Sequence, residues 1–173
     1  MRAREASKQR AVAYHEAGHA VASWHFGRRF KHVTIEAEGD SLGHVSYTVP
    51  RWNLEFEVSD RAHLGLQSEI IVRFAGQIAE AKFREQRPRY GFHSDNQSAV
   101  DLAFRLCGSN ETVNAYLKYC WCASTDIVNC RWREIIALAE ALLKTTTLKY
   151  SDALEVISPG SAALRASLEM KRK

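Results

Sequence analysis

Apolar and polar positions follow two different periods along this chain. Residues 11–26 are almost all apolar or small. Ser7 is placed to cap a helix that carries them as far as Gly27. The period then shortens to two. Residues 31–36 and 44–49 read as strands, separated by turn chemistry over 38–43 and closed by Pro50. Such a pair predicts a hairpin. A hairpin alone is marginal, so it is expected to pack on the first helix, with residues 51–58 as a loop or a third strand. Helical spacing returns after Ser59-Asp60, where Leu66, Ile70, Phe74, Ile78 and Ala81 recur up to about Arg84. A loop over 87–93 leads to a helix capped by Ser94 or Asp95, with Ala99, Leu102, Ala103 and Leu106 as its apolar face. Residues 107–109 break it. Residues 110–144 predict two helical pieces with a break near 122–125, and Ile127, Trp132, Ile135, Leu138 and Leu142 form a stripe. Ser151 is placed to cap a short helix over 152–157. The pattern predicts a mainly α protein with a small β-hairpin or sheet (α+β). It is read as one domain over residues 1–157, followed by a frayed basic tail over 158–173.

The first helix also carries the chemistry. His15-Glu16-Ala17-Gly18-His19 contains His-Glu-x-x-His. Residues four apart share a helix face, so both imidazoles can hold one cation while Glu16 stands beside it as a proton acceptor. Zinc hydrolases use this arrangement. Placing His, Glu and His in an apolar segment is costly unless something pairs with them. The plainer alternative is a histidine pair satisfied by its surroundings.

Catalytic zinc takes three protein ligands, and the spacing leaves several candidates for the third. His25 would extend the motif as in metzincins, but Ala22 stands where that pattern needs a glycine, so His25 stays on the helix, turned off the ligand face. Glu69 and Glu80 are placed as a ligand from another helix would be. Glu80, in an apolar stretch, suits a ligand, a group orienting a ligand histidine, or an ion pair with Arg73 or Arg84. Asp95, at a helix N-terminus, suits a ligand or a plain cap.

Composition narrows the class. Of the 173 residues, 46% are hydrophobic and 25% charged, as in ordinary globular proteins. A net charge of +4, without an RNA-binding aromatic motif or zinc-finger spacing, argues against nucleic acid as a partner. No apolar run has transmembrane length, and the charged N-terminus lacks a signal peptide's apolar region, so a cytoplasmic, soluble protein is expected. The four cysteines form no Cys-x-x-Cys and are expected to be reduced thiols.

Several stretches, in order, resemble the peptidase domain of the FtsH-type ATP-dependent zinc proteases. Residues 13–21 match that family's zinc-helix motif, including the Ala-Gly between the histidines. Val33-Thr34-Ile35 with Leu42-Gly43-His44 resembles its hairpin. Ala75-Gly76-Gln77-Ile78-Ala79-Glu80 resembles its Gly-Gly-Arg-Ala-Ala-Glu helix. Residues 94–103 resemble its Asn-Asp-x-x-x-Ala-Thr-x-Leu-Ala stretch, and residues 138–143 its late helix. The resemblance implies a zinc site of His15, His19 and Asp95, with Glu16 as general base towards zinc-bound water and Glu80 orienting a ligand. Ala75, Gln77 and Ala81 depart from the family pattern without touching that set. It further implies a zinc metalloendopeptidase acting on unfolded or extended polypeptides. The sequence shows no Gly-x-x-x-x-Gly-Lys-Ser/Thr loop, so no ATPase activity of its own is expected. The alternative is a peptidase-like domain that binds peptides or partners with little turnover, or that depends on a separate ATPase or on a homo-oligomer.

Overall fold

The apolar first segment forms a longer helix than its caps suggest. In the computed structural model, which describes residues 2–37, 43–47, 60–87 and 94–158, α1 spans Arg2–His25. Ser7 lies inside it rather than at its start, since Ala3, Arg4, Glu5 and Ala6 are all compatible with helix and Glu5 complements the dipole in the first turn. Gly27 follows with φ of 67°, a left-handed conformation that glycine adopts without strain.

Strands β1 (Phe30–Thr34) and β2 (His44–Tyr47) pair antiparallel, as the hairpin pattern predicts. A third strand among the described residues comes much later in the chain. It is β3, Thr147–Lys149, pairing antiparallel with the other edge of β1 to give the order β2-β1-β3. Residues 51–58, the alternative third strand, lie outside the described residues, as do residues 159–173 of the expected tail.

Among the described residues, four more long helices pack around α1 and the sheet. They are α2 (Asp60–Phe83), α3 (Ser94–Phe104), α4 (Asn110–Cys130) and α5 (Trp132–Thr145). A short α6 (Tyr150–Ile157) follows β3 directly, capped at Lys149 rather than at Ser151. The architecture is mainly helical with a small antiparallel sheet. The break between α4 and α5 falls at Arg131, not at 122–125. Ser124 and Thr125 stay helical because their hydroxyls bond the carbonyls of Ile71 (2.9 Å) and Trp121 (2.9 Å).

Helix α1 sits at the centre, packed against α2 and α5, while α4 packs mainly on α2. Its contact with α2 is close. A Cβ at Gly18 would lie 2.6 Å from the Ala75 carbonyl oxygen and 2.7 Å from the Ala79 Cβ. Only a residue without a side chain allows that approach. Tyr14 stacks on Phe83 (centroids 4.2 Å apart) and leans on Trp132, joining α1 to α2 and α5. Of the cysteines, all free, Cys120 is buried while Cys122 and Cys130 are exposed.

Candidate metal centre

His15, Glu16 and His19 share one stretch of α1, as their spacing requires, and each is positioned by a different neighbour. His19 is buried. Its Nδ1 lies 2.8 Å from the carbonyl oxygen of Val72 on α2, so Nδ1 carries the proton and donates it. His15 Nδ1 lies 3.1 Å from Glu80 Oε2, also on α2. That acceptor likewise fixes the proton on Nδ1. In the neutral rings Nε2 is then the unprotonated nitrogen, and the two Nε2 atoms stand 3.1 Å apart, within hydrogen-bond distance of each other.

Two neutral rings in these tautomers turn acceptors towards each other, an arrangement that a cation resolves. Tetrahedral zinc with nitrogens at ~2.0–2.1 Å holds them roughly 3.3 Å apart, close to the spacing here. The donor set thus fits the metal that the motif suggests. Gly76 makes the geometry possible, since a Cβ there would fall 2.3 Å from His19 Nε2.

Glu16 is buried, 6% exposed, on the same helix. The start of β2 passes over it. A Cβ at Gly43 would lie 3.0 Å from Glu16 Cγ and 2.8 Å from the Thr34 carbonyl oxygen. A buried carboxylate next to His15 on α1, with the chain entering β2 close above it, is a group that could accept and return a proton.

Glu80 takes two of the partners that its sequence environment allows, His15 and Arg84, while Arg73 pairs with Glu69 instead. It accepts from His15 and, at 2.9 Å, from Arg84. The His15 hydrogen bond, reinforced by Arg84, holds its carboxyl below the ordinary value against the opposing effect of burial. Glu69 is taken up elsewhere, between Arg28 and Arg73. His25 ends α1 exposed, with its ring against Phe26, and burial followed by the charge of Arg131 lowers its pKa. Asp95 falls in the first turn of α3, which packs on α2. Its side chain lies outside the described residues. Among those residues no three His, Cys, Asp or Glu groups converge on one point.

Sequence reasoning missed three contributors. The Val72 carbonyl has no side-chain signature. Gly76 did offer a signal, being a glycine inside a helical pattern, whereas Gly43 reads as ordinary turn chemistry.

Residues 2–110 match the model of peptidase family M41. Over 102 residues, or 58% of the chain, the sequence is 31% identical to the ATP-dependent zinc metalloprotease FtsH 1 of Rhodopirellula baltica. The aligned segment spans 14% of that relative's length.

Proposed function

The chain belongs to peptidase family M41, as an FtsH-type peptidase domain, and from that premise we propose that it is a zinc-dependent endopeptidase in which His15, His19 and Asp95 hold the metal and Glu16 is the general base. The observation that carries this reading is the convergence of the two Nε2 atoms at 3.1 Å with both Nδ1 protons committed elsewhere.

When bound, zinc supplies Lewis acidity to the scissile carbonyl and to water. The chain's own groups do the rest. Glu16 removes a proton from the attacking water and returns it to the departing amine, so one buried carboxylate serves first as base and then as acid. Val72 and Glu80 keep the imidazoles in the ligand tautomer. Gly43 keeps the β2 backbone close over Glu16, where an extended polypeptide would run. The substrates this suits are unfolded or extended polypeptides, delivered by a separate ATPase where unfolding is needed.

Cleavage of casein by the chain, with and without a chelator, is the test. Chelator-sensitive cleavage supports the reading. Zinc retention without cleavage would favour a peptide-binding domain or one that depends on a partner. Among the described residues, no helix is long and apolar enough to cross a membrane.

A further inference from the structure

A second pair of histidines repeats the geometry of the first on a different element. His32 on β1 and His44 on β2 bring their Nε2 atoms to 3.4 Å, with ring centroids 5.4 Å apart and planes at 73°. The α1 pair has 3.1 Å, 4.8 Å and 76°. The register explains how they meet. His32 pairs with Ser46 and Thr34 with His44, so the two histidines are diagonal neighbours, within reach of long side chains.

The same register assigns their face. Val33, Val45 and Leu148 align and turn to the core, and Gly43 faces Val12 and Glu16 of α1. His32, Thr34, His44, Ser46, Thr147 and Lys149 occupy the other side of the sheet. The pair is thus separated from the α1 centre by the thickness of the sheet. Thr34 and Thr147 bond each other through their hydroxyls at 2.6 Å. Lys149, cross-strand from His32, is exposed, so water can screen its charge.

The geometry points to His32 and His44 as a second metal site, which takes a divalent transition cation of zinc's class and pins β2 to β1. Both rings lead with the same nitrogen, at the roughly 3.3 Å spacing of two tetrahedral zinc ligands. Imidazole nitrogens select zinc, nickel or copper over magnesium or calcium, which prefer oxygen. Water completes the coordination, so this site binds more weakly than one with three protein ligands. Because β2 runs directly into the Gly43 contact with Glu16, occupancy stiffens the strand lying over that carboxylate.

Zinc stoichiometry of the whole chain, measured by equilibrium dialysis at rising free Zn²⁺ with Mg²⁺ as control, tests this. The wild-type chain is expected to take up two equivalents, the second more weakly, and no Mg²⁺ at this site. His32→Asn and His44→Asn each lose the weaker equivalent and keep the tighter one. His15→Asn does the reverse, so failure of the α1 assignment and failure of this one are read separately. An unchanged count in folded H32N and H44N overturns the site and leaves a hydrogen-bonded imidazole pair. If either variant fails to fold, the imidazole NMR resonances of the wild-type chain decide. Perturbation of His32 and His44 by the second equivalent of zinc supports the site, and silence at both overturns it.

Discussion

Glu80 Oε2 lies 3.1 Å from His15 Nδ1, joining residues 65 apart in sequence. The carboxylate is anchored on its other oxygen by Arg84 at 2.9 Å. It therefore acts as a fixed acceptor, orienting a ring whose far nitrogen faces His19. Glu80→Ala should weaken zinc binding by roughly 10–100-fold while the chain stays folded. Arg84→Ala should weaken it less. Competition against a chromophoric chelator measures both, and equal affinity in Glu80→Ala and wild type would remove Glu80 from the site.

Glu16→Gln should retain zinc and lose casein cleavage by about 10²–10⁴-fold, the usual contribution of a positioned general base. Metal content and single-turnover cleavage on the same sample separate binding from chemistry. Normal cleavage by this variant would assign the base elsewhere.

Asp95→Ala should lower zinc stoichiometry at limiting free metal, whereas a helix-cap role would leave it unchanged and cost only about 0.5–2 kcal/mol of stability. Zinc analysis after dialysis, paired with denaturant unfolding, distinguishes the two.

Gly76→Ala and Gly18→Ala should fail in different ways. Alanine at 76 puts a Cβ 2.3 Å from His19 Nε2, so metal affinity is expected to fall at least tenfold. Alanine at 18 collides with the Ala75 backbone at 2.6 Å and should cost about 1–3 kcal/mol of stability through helix separation. Either substitution on an open helix would instead gain up to about 1 kcal/mol. Chelator competition for the first and urea unfolding for the second provide the readouts.

Cys120 should resist alkylation in the native chain while Cys122 and Cys130 react. Burial, assisted by Cys107, pushes the Cys120 thiol up to about 12, and the thiolate is the nucleophile. The native state holds that proton after the unfolded chain has released it. Stability from this group is therefore complete below the ordinary thiol pKa of about 8.5 and declines as pH rises towards 12. Mass spectrometry after iodoacetamide at pH 8, native and in urea, checks the labelling.

Long periodic segments were legible in the sequence because they depend on local pattern. The stretch around His15, the stripe from Leu66 to Ala81 and the face of Ala99 and Ala103 all became helices where expected. Leu148 was not legible as a strand centre. Three residues are too few for a period, and their hydrogen-bonding partners lie in β1, over a hundred residues earlier. The junction at Arg131 was hidden because it contains neither glycine nor proline. The polar cluster at Ser124 and Thr125 looked like a break because one sequence does not show that Ile71 lies beside Ser124. At the candidate centre, the close approach of His15 and His19 on one helix was readable from spacing. The Val72 carbonyl that orients His19 was not, since every residue has a carbonyl.

The late arrival of β3 bears on where the chain can be cut. The family match covers residues 2–110, yet β1 is completed by Thr147–Lys149, and Trp132 leans on Tyr14 one residue before His15. A fragment ending at residue 110 would contain His15, Glu16, His19 and Asp95 but would bare one edge of β1 and the side of α1 that α5 covers. Such a fragment invites strand addition from neighbouring chains. The portion that matches the family and the portion that completes the sheet are therefore not the same object. The shortest fragment that keeps the sheet and the α5 contact extends past Lys149.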